Sequence, residues 1–149
     1  MRVGIISGYF NPIHTGHLDY IEGAREKCDT LYVIVNNDYQ VELKGSKKFL
    51  DQGSRARIVK AIKGVHEAFA SIDDGPSVVR SISKIHKEIC DDPFVDNIMF
   101  MNGGDRHGDN TPESDLCNKI GIDLVYNVGG NKTQSSSILL QKIADEKQG

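Results

Sequence analysis

The feature of this 149-residue chain that most limits its fold is an alternation of five short β-type runs with stretches whose apolar residues recur at helical spacing. The runs are Val3–Ser7, Leu31–Asn36, Ala68–Ile72, Asn97–Met101 and Asp123–Val128. Strands separated by helices cannot close as hairpins, so each connection must cross over a face of the sheet and return the chain in the same direction. The first run is almost wholly apolar, as a strand covered on both faces requires. Between the strands, a helix beginning near Thr15 carries Leu18, Ile21 and Cys28. Ser54–Gly64 carries Ile58 and Ile62, and Ser77–Ile89 carries Val78, Ile82, Ile85 and Ile89. Pro76 is expected at the start of that last helix, Pro112 opens a short one toward Ile120, and Ser135–Glu146 closes the chain.

Right-handed crossovers on such a pattern predict an α/β, Rossmann-like three-layer sandwich around a five-stranded parallel sheet of order 3-2-1-4-5, formed by a single domain over residues 1–149. In that order the strand order reverses between the first and fourth strands, and open α/β sheets bind ligands beyond the strand C-termini at such a reversal. Two glycine-bearing turns would face each other there. One is Gly8-Tyr9-Phe10-Asn11-Pro12-Ile13-His14-Thr15-Gly16-His17, and the other is Asn102-Gly103-Gly104-Asp105-Arg106.

The first of these turns carries the chemistry. His14 and His17 stand three positions apart where a strand gives way to a helix, so both side chains lie at a helix N-terminus. The first amides of that helix are donors without intrahelical acceptors, and the macrodipole adds positive potential. An anion such as a phosphate suits the place. Gly16 lets a ligand approach the backbone, Pro12 fixes the turn, and Asn11 is able to bond locally or to a ligand.

Composition narrows the partners. A formal net charge of -3, with acids and bases interspersed, argues against a general nucleic-acid binder. Cys28, Cys90 and Cys117 show no Cys-x-x-Cys spacing and read as reduced thiols. His14, His17 and His107 lack a thiolate or carboxylate at ligand spacing, so no protein metal site is expected. No run approaches the ~18 apolar residues of a membrane span and no signal-peptide core precedes the first strand. A cytoplasmic protein without membrane or nucleic-acid partners is expected.

The string from Gly8 to His17 resembles the His-x-Gly-His signature of the cytidylyltransferase-like nucleotidyltransferases, which join a nucleoside triphosphate to a phosphorylated acceptor and release pyrophosphate. Many members carry Thr or Ser in place of Tyr9 and Asp in place of Asn11. Lys132-Thr133-Gln134-Ser135-Ser136-Ser137 is similar to the second signature of the family, with Lys132 where arginine is frequent and Gln134 where Gly-Ile or Gly-Cys is usual. The resemblance implies that His14, His17 and Lys44 are catalytic. It implies nucleotide contacts from Gly8, Tyr9, Phe10, Asn11, Gly16, Gly104, Asp105, Lys132, Thr133, Ser135, Ser136 and Ser137, and acceptor contacts from Arg55, with Arg57 the competing choice, and Arg106. Mg²⁺ would accompany the triphosphate.

By composition alone, Lys44-Gly45-Ser46-Lys47-Lys48 is a loop of solvated lysines or a phosphate clamp; the resemblance selects Lys44. The His107–Thr111 stretch is an acceptor loop or a solvated excursion. The implied product is a nucleotidylated polyol or sugar phosphate, with CTP slightly favoured over ATP as donor. The other class of function open to the sequence is a non-catalytic nucleotide sensor. A homodimer is expected, since two-fold association is the commonest assembly of soluble enzymes.

Overall fold

A computed structural model describes residues 1–104 and 111–129. The elements run β1 (Arg2–Gly8), α1 (Thr15–Lys27), β2 (Thr30–Val35), α2 (Asp38–Lys44), α3 (Gln52–Lys60), β3 (Glu67–Ala70), α4 (Val79–Ile89), β4 (Asn97–Met101), α5 (Pro112–Ile120) and β5 (Asp123–Val125). All five strands are parallel and their order is β3-β2-β1-β4-β5, as the alternation predicts.

Strand periodicity divides the interior in two. Leu31, Val33 and Val35 of β2 and Met99 and Met101 of β4 face one side, where they pack with Tyr20, Ile21 and Ala24 of α1 and Val59 of α3. Ile34, Ile98 and Phe100 face the other, with Ile82, Ile85 and Ile89 of α4 and Cys117 of α5. The alternating side chains therefore enforce three layers with β1 at the centre. Cys28 and Cys117 are buried and Cys90 is exposed; burial pushes the Cys117 thiol up to about 11. No described helix is long and apolar enough to cross a membrane.

Several boundaries differ from the sequence expectation, each for a local reason. The fifth strand stops at Val125, short of Val128, because Asn127 and Gly129 adopt positive φ and turn the chain, with the Asn127 amide donating to the Gly104 carbonyl. The third strand stops at Ala70, because Ser71 and Asp73 are drawn into a buried polar cluster. The Asp73 carboxylate accepts from the Arg80 and Ser81 amides and from the hydroxyls of Ser71 and Ser81. It thereby caps α4 from five residues before Val78, and Pro76 lies ahead of the helix instead of opening it. The third helix starts at Gln52 under an Asp51 cap and ends at Lys60, before Gly64 turns the chain at φ 96°.

The largest difference is α2, an extra helix where a loop was expected after the second strand. Asn37 and Gln40 close a capping box at its start. Their side-chain amides then reach the carbonyls of Ser71, Asp73, Gly75 and Ser77. This ties the exits of β2 and β3 together with buried hydrogen bonds. The expected closing helix Ser135–Glu146 lies outside the described residues.

Candidate functional site

The site is built at the C-terminal end of β1, where the chain leaves the sheet through Tyr9 and Phe10. Phe10 is buried at φ 49° and its ring slides under the strand end, so close that a Cβ on Gly8 would lie 3.0 Å from it. This is why Gly8 precedes the turn. The Phe10 ring also supports His17 from below, with centroids 4.8 Å apart.

His14 and His17 themselves make the helix start. His14 is the N-cap of α1, and its Nδ1 accepts the Gly16 amide at 3.0 Å. Nδ1 of His17 accepts the His14 amide at 3.1 Å, which completes a capping box normally made by Ser or Thr with Glu or Gln. The two rings stack at 3.8 Å and 25°. Because both Nδ1 atoms accept backbone N–H groups, the hydrogen-bond network assigns the proton of each neutral ring to Nε2. Two imidazoles with N–H assigned to Nε2 are thus stacked at the positive end of a helix, a place that favours an anion, with the His14 Nε2 itself buried. The Tyr20 hydroxyl donates to the Met101 carbonyl at 2.5 Å, fastening this helix to the end of β4.

Lys44 is the last residue of α2, and Gly45 caps it in the left-handed conformation at φ 77°. The Lys44 ammonium lies 4.3 Å from the centroid of the Tyr9 ring, so a residue of the motif and the lysine expected to serve it are neighbours. Burial raises the Tyr9 phenol above its ordinary value of 10.0.

Asn11 and Arg55 are both buried and bonded to the chain's own backbone. Asn11 is 6% exposed; its Nδ2 donates to the Lys47 carbonyl and its Oδ1 accepts the Phe49 amide. Its carboxamide is therefore engaged by the chain, the local bonding that the sequence allows. Arg55, expected at the acceptor, is 1% exposed. Its guanidinium donates to the carbonyls of Leu50, Tyr9 and Asn36, and its second terminal nitrogen pairs with the Asp38 carboxylate at 2.9 Å. A buried guanidinium with these partners holds three segments together and offers an acceptor little access. Arg57 lies in the last turn of the same helix.

On the opposite side of the reversal, Gly104 follows β4 and its carbonyl receives the Asn127 amide. An added Cβ at Gly104 would meet nothing within 4 Å among the described residues. The chain beyond β5 is seated against α1, for a Cβ on Gly129 would lie 2.8 Å from the Tyr20 Cα. Asp105, Arg106, Lys132, Thr133, Ser135, Ser136 and Ser137 lie outside the described residues. Among the described residues no group of three or more His, Cys, Asp and Glu side chains is arranged to hold a metal ion.

A parallel α/β sheet with an imidazole pair on the first helix after the central strand defines a nucleotide-handling protein of the doubly wound class. The cytidylyltransferase-like family model matches residues 5–133, and the chain belongs to that family of nucleotidyltransferases. Among curated relatives, it is 38% identical over 78 residues to the bifunctional protein HldE of Gluconacetobacter diazotrophicus, an alignment covering 51% of this chain and 16% of the relative. It is 35% identical over 85 residues to an FAD synthase of Methanoculleus marisnigri, covering 57% of this chain and 55% of the relative. The chain thus matches about half, or much less, of these relatives' own length. A lipopolysaccharide core biosynthesis protein from Thermoplasma volcanium shares the fold, with a TM-score of 0.62 at 22% identity over 90% of this chain and 98% of that one. So does a bifunctional NMN adenylyltransferase/ADP ribose pyrophosphatase from Francisella tularensis in complex with AMP and a manganese ion, with a TM-score of 0.66 at 13% identity over 97% of this chain and 42% of that one.

Proposed function

We propose that the chain transfers a nucleoside monophosphate from a nucleoside triphosphate to a phosphorylated small molecule, with release of pyrophosphate. The observation that carries this is the paired capping of α1 by His14 and His17, which orients two Nε2–H groups beside a helix N-terminus. An acceptor phosphate oxygen attacks the α-phosphorus in line as the bond to the bridging oxygen breaks, and pyrophosphate leaves with the electron pair. Such a reaction needs no protein nucleophile. It needs alignment and donors where negative charge builds, and both histidines supply the latter. Lys44, beside Tyr9, is assigned to the β- and γ-phosphates, together with Lys132, Ser136 and Ser137 of the second signature. Mg²⁺ enters as the partner of the triphosphate, a part of the substrate.

The donor base is proposed as adenine. The FAD synthase relative is named for making an adenine dinucleotide, and this outweighs the slight preference for CTP drawn from sequence resemblance. The acceptor class is a mononucleotide, sugar phosphate or polyol phosphate. The functional unit is proposed as a homodimer; Tyr39 and Leu43 of α2 and Phe49 and Leu50 after it are exposed apolar candidates for its interface.

The deciding experiment is a matrix of ATP, CTP, GTP and UTP against phosphorylated alcohols, sugar phosphates and mononucleotides, scored by pyrophosphate release. Turnover that is fastest with ATP supports the adenylyl reading, and turnover confined to CTP replaces it with cytidylyl transfer. Tight nucleotide binding without turnover for any pair establishes the sensor alternative. Light scattering at micromolar concentration that returns the mass of one chain, with full activity, rejects the dimer.

A further inference from the structure

Residues 42–51 form an unbroken exposed stretch that contains Lys44, Lys47, Lys48, Phe49 and Leu50. A segment so poor in buried side chains has little apolar packing to fix it. Its backbone is nevertheless gripped at three successive points. Asn11 Nδ2 donates to the Lys47 carbonyl at 2.7 Å, Asn11 Oδ1 accepts the Phe49 amide at 2.9 Å, and Arg55 Nε donates to the Leu50 carbonyl at 3.0 Å. Arg55 in turn holds the Tyr9 carbonyl at 2.7 Å, so both gripping residues tie the stretch to the turn that carries the histidines.

The two Asn11 contacts have opposite polarity. A peptide carbonyl only accepts and a peptide N–H only donates, so the side chain must present one donor and one acceptor on one planar group. A carboxamide does this and a carboxylate does not. Aspartate, nearly the same size, would set a charged oxygen against the Lys47 carbonyl at the distance of a hydrogen bond. The demand for an amide is thus written into the geometry.

We propose that Asn11 is a positioning residue: its carboxamide latches the 45–50 loop onto the histidine turn and thereby sets where Lys47 and Lys48 can join Lys44 at the triphosphate. The last clause rests on the nucleotidyl-transfer reading; the latch itself does not. Lys47 leaves a backbone held by its own carbonyl, and Lys48 lies between the two gripped residues, its ammonium 3.7 Å from Asp38, which also pairs with Arg55.

The test uses the full-length chain with Asn11→Asp and Asn11→Ala, assayed by limited trypsin cleavage after Lys44, Lys47 and Lys48 and by binding of ATP and AMP. Both variants should be cut roughly fivefold faster or more, as loss of a part-buried hydrogen bond implies. ATP affinity should fall by a similar factor while AMP affinity stays within about twofold, since only the β- and γ-phosphates are assigned to the loop. Unchanged cleavage overturns the latch. Faster cleavage with equal losses for ATP and AMP overturns its role in triphosphate capture and leaves a general structural one. Should neither variant fold, the unsubstituted protein decides by amide exchange: the Phe49 amide should exchange roughly fivefold more slowly than those of Lys48 and Leu50, although Phe49 is exposed. Equal rates for all three reject the latch. Cleavage and exchange need no nucleotide, so a chain that binds none would refute the functional reading without touching the latch.

Discussion

The start of α1 and the lysine loop after α2 meet at the same turn yet are made in opposite ways. At α1, the side chains assigned to the chemistry are also the groups that hold the backbone, since His14 and His17 cap the helix they sit on. In the 42–51 stretch the cations hold nothing of the loop's backbone; Asn11 and Arg55, from elsewhere in the chain, hold it for them. Function and local stability are therefore fused in the first region and separable in the second. A substitution in the first changes two properties at once unless the new side chain keeps the cap, and one in the second should change only binding.

Five substitutions break or sharpen this contrast. Arg55→Met strikes both regions, because it strips partners from the Tyr9, Asn36 and Leu50 carbonyls and from Asp38. A loss of about 3–5 kcal/mol in urea unfolding is expected, the range for breaking a buried charged cluster; a loss below about 1 kcal/mol would show that the clamp is dispensable. Next comes the pair His17→Ala and His14→Asn. The first should lower turnover by roughly 10² or more with modest loss of nucleotide affinity. The second retains a strong N-cap side chain while removing Nε2, so turnover should fall similarly while stability stays within about 0.5 kcal/mol. Full turnover in His14→Asn would make His14 a cap alone and undo the fusion proposed for α1.

Lys44→Ala belongs to the separable region. It should weaken ATP by about tenfold, leave AMP binding and the unfolding midpoint unchanged, and so mark a charge-assisted contact to the distal phosphates. Unaltered ATP affinity would transfer that role to Lys47 or Lys48. The smallest effect is expected for Phe49→Ser, whose side chain is 44% exposed and whose amide, not its ring, makes the tether. Stability within about 0.5 kcal/mol of the parent is expected, and a larger drop would show that the ring anchors the loop after all.

The fold was legible in sequence because it depends on periodicity. Alternating apolar residues in β2 and β4 and the i, i+3, i+4 spacing of Ile82, Ile85 and Ile89 are local facts. The histidine pair was equally legible, since a turn and a helix start lie within the motif's own ten residues. What escaped detection depends on polar residues whose partners are remote. Helix α2 is seven residues long and buries a single apolar side chain, Val41, and it is fastened by Asn37 and Gln40 to carbonyls more than thirty residues away. Arg55 was assigned to the acceptor by resemblance alone, and its burial was not legible because the carbonyls that bury it come from Tyr9 and Asn36. A hint was present in Asn36-Asn37 followed by Gln40, a run of amides better suited to bonding backbone than to a solvated loop.

The central place of β1 bears on how the protein is made. The strand that delivers the histidine turn precedes the other four strands in the sequence, but one of its two edges is completed by β4, whose register pairs Arg2 with Asn97 and Ile5 with Phe100. Until β4 has been made, β1 is an edge strand with unpaired backbone groups, and α1 lacks the Met101 carbonyl that receives Tyr20. The histidine turn is therefore made well before β4, the strand that completes its support.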